Sequence, residues 1–158
     1  MVSTSINSSA GRPISICFIA LEAYPLFSRV GKGTQGGAEV DIYMLSTELA
    51  KDKKFSVSMI TGDYGQREIE RFDGVVIYKT LDLQNPVAAF LSMWKTMKRV
   101  NSDIYFKKGA SSIAGLVALF CRTHGRQFFL RTSHDIDCDG TYLHQNWLRG
   151  RVFLWAIR

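Results

Sequence analysis

The chain has 158 residues, 46% of them hydrophobic, and a formal net charge of +6, with a pI near 9.4. That is about one domain's length with enough apolar material for one substantial core, which excludes wholesale disorder. The basic balance fits anionic partners such as phosphorylated small molecules or acidic lipid surfaces. No basic run interleaved with aromatics marks a nucleic-acid footprint, so nucleic acid is not an expected partner.

Residues 1–13 are polar and Ser-rich and read as a disordered tail, leaving 14–158 as the folded domain. Residues 14–20 form a continuous apolar run rather than an alternating one, as expected of a central parallel strand covered on both faces. Glu22 ends that run and no small-residue cleavage site follows, so a buried strand is expected rather than the core of a signal peptide. No stretch approaches the roughly 20 apolar residues of a membrane span.

A long connection, 22–37, carries Pro25 and then the glycine-rich run Gly31-Lys32-Gly33-Thr34-Gln35-Gly36-Gly37. Connections of this length in compact domains tend to be functional. The spacing predicts a helix over 38–51, with Ala38, Ile42, Leu45 and Leu49 as its apolar stripe, Gly36 as its N-cap and Glu39 reaching back toward the cap. A second strand is expected at 55–61, closed by the turn Gly62-Asp63-Tyr64-Gly65, and a third at 75–78 after the turn Asp73-Gly74. Asn85-Pro86 starts a helix that runs to about Val100, with Lys95, Lys98 and Arg99 complementing its C-terminal dipole. A fourth strand at 103–106 ends at Lys107-Lys108-Gly109. Ser111 or Ser112 caps a helix to about Thr123, and 127–131 is the fifth strand. An acidic loop, 132–146, and an apolar segment, 148–158, complete the chain. Strands alternating with helices predict a Rossmann-like, doubly wound parallel sheet in three α/β/α layers. The last segment needs a surface to cover and no further strand follows, so the chain reads as a domain truncated at its C-terminus.

In such a sheet ligands bind beyond the carboxyl ends of the strands. The loops 22–37, 107–112 and 132–140 converge there. Gly36 and Gly37 leave bare backbone at a helix N-terminus, where a phosphate can approach, and Lys32 adds a charge; the glycines serve equally well as a tight turn. The spacing is neither GxGxxG nor a Walker A loop, which disfavours dehydrogenase and ATPase readings. Lys108, with Lys107, ends a strand at the same rim, either to meet phosphate or as a solvated pair. His134 follows the fifth strand, and Asp135 beside it can orient the imidazole. The run Asp135-x-Asp137-x-Asp139-Gly140 copies half of a calcium loop, but Asn146 stands where the closing Glu belongs, and His134 with Cys138 lacks two further zinc ligands. No metal is therefore expected. Met93, Trp94 and Met97 with Lys95, Lys98 and Arg99 describe a basic amphipathic helix, packed on the core or in peripheral contact with an anionic membrane. The three cysteines, Cys17, Cys121 and Cys138, are odd in number and form no CxxC pair, which points to a reduced, cytoplasmic protein.

Taken in order, several segments resemble the N-terminal half of group 1 retaining glycosyltransferases of the GT-B architecture. They are Gln35-Gly36-Gly37-Ala38-Glu39, the helix end Glu48-Leu49-Ala50, the strand 55–61, Arg71-Phe72-Asp73-Gly74-Val75-Val76-Ile77-Tyr78, Asp103-Ile104-Tyr105 and His134-Asp135. The resemblance implies an acceptor-side domain facing a second domain across a cleft. It implies a nucleotide-sugar donor, a sugar or lipid-linked acceptor, retention of anomeric configuration and no cofactor. By it, Gly36 and Gly37 approach the donor diphosphate or an acceptor phosphate, and His134 lies near the transferred sugar. Lys108 stands where many members carry His or a similar polar residue. The family's paired-glutamate donor motif belongs to the C-terminal domain, so this chain alone is expected to be inactive. The alternative is a non-catalytic Rossmann-like module that binds a phosphorylated ligand.

Overall fold

The computed structural model describes residues 11–28, 36–80, 86–109 and 111–132. Six strands form one sheet: β1 (Ile14–Ile19), β2 (Phe55–Thr61), β3 (Ile69–Phe72), β4 (Val75–Lys79), β5 (Ile104–Lys108) and β6 (Gln127–Arg131). Their order is β3-β4-β2-β1-β5-β6. Every pairing is parallel except β3 with β4. Helices α1 (Tyr24–Ser28), α2 (Gly37–Leu49), α3 (Pro86–Val100) and α4 (Ser112–His124) flank the sheet.

β1 lies between β2 and β5, as its unbroken apolar run requires. Alternate side chains of a strand point to opposite faces, and β1 uses both. Ile16 and Phe18 pack with Tyr24 and Phe27 of α1 and Ile42 of α2. Cys17 and Ile19 pack with Met93 and Met97 of α3 and Val117, Phe120 and Cys121 of α4. Two cores on two faces make the three-layer α/β/α, Rossmann-like arrangement.

Two elements were not foreseen. The connection 22–37 contains a short helix, α1, whose Tyr24 and Phe27 are buried; Pro25 falls in its first turn, where no amide is missed. The sheet is not wholly parallel, because Asp73 and Gly74, both at positive φ, turn a hairpin that adds β3 antiparallel to β4. An Asp-Gly pair is a strong hairpin signal. The charged, alternating sequence of β3, Ile-Glu-Arg-Phe, belongs to an edge strand and hides the signal.

The helix ends follow local chemistry. Ser111, not Ser112, caps α4 by accepting from the Ala114 N–H at 3.2 Å, and Gly125 ends it in the left-handed region. Gly36 caps α2 without a side-chain bond. The inward face of α2 departs from the expected stripe: Leu45 is exposed and Ser46 is buried below Ile42. The Ser46 hydroxyl donates to the Tyr43 carbonyl at 2.9 Å, so its burial leaves no polar group unmet. In α3, Met93 and Met97 are buried, which makes them core residues rather than part of an exposed amphipathic face. The expected tail lies outside the described residues as far as Ala10; beyond that, Arg12 is tied to Asp103 at 2.7 Å.

Candidate functional site

The order in which strands are added to the sheet reverses beside β1. From β1 the chain crosses through α2 to β2, then returns through α3 to β5 on β1's other side. The carboxyl ends of β1 and β5 therefore bound the crevice that such a switch opens. The N-terminus of α2 stands at this edge, with Gly36 and Gly37 as cap and first helical residue.

Neither glycine is required by its backbone. Gly36 has φ −66°, which any residue adopts. A Cβ on Gly37 would meet nothing within 4 Å, whereas a Cβ on Gly36 would lie 2.7 Å from Oε2 of Glu39. The Glu39 carboxylate thus folds back over the start of its own helix, and the bare α-carbon of Gly36 leaves it room. A negative group there complements the helix dipole.

The cations of the site come from the neighbouring strand ends. In β5 and β6, Lys108 and Arg131 are register partners, so they rise from the same face of the sheet. Both reach one carboxylate in the second turn of α2: Oδ2 of Asp41 accepts from Nζ of Lys108 at 2.9 Å and from Arg131 at 2.8 Å. Lys108 is largely covered, its side chain 15% exposed, while Arg131 is 55% exposed. The hydrogen bond from Lys108 holds the Asp41 carboxyl below its usual value against partial desolvation, with the charges of Arg131 and Lys108 adding to the effect. The Gly109 N–H donates to the Arg131 carbonyl at 2.8 Å and fixes the start of the following loop. Two cations share one anion, so the cluster keeps a net positive charge beside the dipole-positive end of α2.

The β2 end of the same edge is built differently. Buried Gln66 accepts from the Tyr64 N–H at 2.5 Å and donates to the Gly62 carbonyl at 2.6 Å. Asp63 accepts from the Gly65 N–H and pairs with Lys79 at 3.3 Å. These bonds pin the turn and hold Tyr64 stacked on Tyr24, with ring centroids 5.8 Å apart. Burial, with Glu22 and Glu39 nearby, pushes the Tyr64 phenol up. This end is aromatic and acidic, and the β5–β6 end is cationic.

Of the expected site residues, the structure brings Gly36, Gly37 and Lys108 to one edge. Lys32, His134 and Asp135 lie outside the described residues. Sequence reasoning missed Asp41 and Arg131. A signal for Arg131 existed: it is the last residue of a recognised strand, at the edge where ligands bind. Asp41 carried none, because a charged residue on an exposed helix face is unremarkable.

Other polar groups serve the fold. Asp103, at the opposite edge, accepts from the Ser15 amide and hydroxyl and from Arg12, and so ties β1 to β5. Burial pushes the thiols of Cys17 and Cys121 up to about 12, which removes both as nucleophiles. Among the described residues no group of three or more His, Cys, Asp or Glu side chains could hold a metal, and no helix is long and apolar enough to cross a membrane. Compared with known proteins, the chain matches no protein-family model and no curated relative.

Proposed function

We propose that this chain forms the acceptor-side wall of a sugar-transfer cleft, in a protein that moves a sugar from a nucleotide-sugar donor to an acceptor with retention. The convergence of Lys108 and Arg131 on Asp41, beside the N-terminus of α2, carries the reading. As a glycosidic bond to a nucleoside diphosphate breaks, negative charge grows on the departing phosphate. A preorganised cation at that point lowers the barrier. Arg131, exposed and already oriented by Asp41, has the planar donor fork that suits phosphate, whereas Lys108 is committed to Asp41 and positions it. The sequence resemblance supplies the rest of the proposal. His134, with Asp135 behind it, would hydrogen-bond the transferred sugar, and Gly36, Gly37 and Lys32 would flank a donor or acceptor phosphate.

Calorimetric titration with UDP, GDP and inorganic pyrophosphate tests the anion site. Arg131→Ala should weaken binding of whichever probe is taken by about tenfold or more. Equal affinity for the wild type and this variant would overturn the assignment. The chain alone should show no sustained sugar transfer, since the donor half of the cleft lies in another domain; steady turnover by it would overturn the half-site reading. Anion binding by a longer chain that never transfers sugar would instead favour a non-catalytic module for a phosphorylated ligand.

A further inference from the structure

We propose that the outward face of α3 docks this protein on an anionic lipid surface. Three large apolar side chains are exposed on the first half of α3: Val87 at 68%, Phe90 at 43% and Leu91 at 51%. Their spacing, i, i+3, i+4, gathers them on one patch. The patch has a firm base. Phe90 stacks on Trp94, with centroids 5.7 Å apart, and Trp94 in turn packs edge-on against Phe120 and His124 of α4. The second half of the helix exposes Lys95, Lys98 and Arg99. Arg122 and His124 are the basic residues in the last turn of the neighbouring α4. On this helix the described counter-charge is Glu68, paired with Arg99 at 2.9 Å.

A partner for this face must offer apolar depth next to negative charge. The headgroup and acyl boundary of an anionic bilayer offers both. Apolar residues sink below the headgroups, while lysines extend their methylene stems and keep their ammonium groups among lipid phosphates. A protein partner would have to match an apolar patch and an adjoining cationic strip in fixed positions; a fluid lipid surface adapts to both. The residues differ from those that the helical pattern singles out, because Met93 and Met97 face the core. α3 follows β4, so its N-terminal half lies toward the carboxyl edge of the sheet. α3 packs on the face of the sheet opposite α2, so the docking surface is separate from the cluster of Asp41, Lys108 and Arg131. The docking proposal itself does not depend on the sugar-transfer reading.

Co-sedimentation with vesicles of pure phosphatidylcholine, and of phosphatidylcholine with phosphatidylglycerol, tests the proposal. The protein should partition onto the anionic vesicles at least about tenfold more strongly, and high salt should weaken that binding. The double variants Phe90→Asp with Leu91→Asp, and Lys95→Glu with Lys98→Glu, should each lose about tenfold in partitioning. Their melting temperatures should stay near wild type, because these side chains are exposed. Equal binding to both vesicle types, or unaltered binding by either folded variant, would overturn the proposal. So would sedimentation equilibrium showing a dimer that Phe90→Asp with Leu91→Asp dissociates, in a protein that binds no vesicles; the face would then be a self-association surface.

Discussion

Arg131, the last residue of β6, donates to Oδ2 of Asp41, in the second turn of α2, at 2.8 Å. The two residues are 90 positions apart in the chain. Lys108 bonds the same oxygen atom, so one carboxylate orients two cations and also offsets part of their charge. Asp41→Asn should therefore raise pyrophosphate affinity by about threefold to tenfold, since the Arg131 guanidinium stays nearby with less opposing charge. Calorimetric titration of wild type and variant checks this. Weaker binding by the variant would mean that Asp41 acts chiefly by positioning.

The glycines at the start of α2 separate stability from binding. Gly37 sits in a helical position with open space beside it. Gly37→Ala should stabilise the protein by about 0.5–1 kcal/mol through helix propensity. If phosphate approaches the backbone there, the same change should weaken anion binding. Thermal unfolding and calorimetry on one sample measure both effects. Gly74 behaves differently: at φ +83°, a Cβ would lie 3.2 Å from the Cβ of Ala50. Gly74→Ala should cost about 1–3 kcal/mol.

Tyr105 is fully buried, and its hydroxyl donates to the Met97 carbonyl at 2.7 Å while accepting from the Ser102 N–H at 3.2 Å. It thereby closes the C-terminus of α3 onto β5. Tyr105→Phe keeps the ring packing but removes the acceptor of the Ser102 N–H, while the Met97 carbonyl keeps the bond from the Asn101 N–H at 2.9 Å. A loss of about 1–3 kcal/mol in urea unfolding is expected; a change below about 0.3 kcal/mol would show that water replaces the hydroxyl.

Asp103 links the start of β1 to the start of β5, and its acidity records the link. Desolvation raises its pKa, but the bonds from Ser15 and Arg12 outweigh that and hold the carboxyl below its ordinary value of 3.8. A depressed folded-state value means that the carboxylate stabilises the fold above pH 3.8, and that this contribution disappears as the pH falls through the folded-state value. Asp103→Asn should lower stability at pH 7 by about 1–2 kcal/mol and flatten the acid limb. Urea unfolding at pH 7, 5 and 3 checks both. A parallel loss at every pH would indicate lost packing rather than lost charge.

Legibility followed locality. Helix caps at Gly36 and Ser111, the turn at Asp73-Gly74 and the unbroken run of β1 are short-range signals, and each is in place. The face of α2 was misread at Leu45 because periodicity fixes which residues share a stripe only to within one position. Packing of α2 on the sheet decides the rest, and here Ser46 is buried and Leu45 exposed. The exposed face of α3 shows the same limit: Met93 and Met97 are as apolar as Phe90 and Leu91, and only packing against β4 and α4 chose between them.

By itself, the sequence determined the alternation of strands and helices and the central place of β1. Hydrophobic period, cap residues and turn residues act over a few positions and need no distant partner. The tertiary structure alone decided that Asp41, Lys108 and Arg131 form one site, 67 and 90 residues apart in their pairings. Such pairings depend on which strands become neighbours and in what register. That is settled by burial of the whole sheet, not by any segment within it.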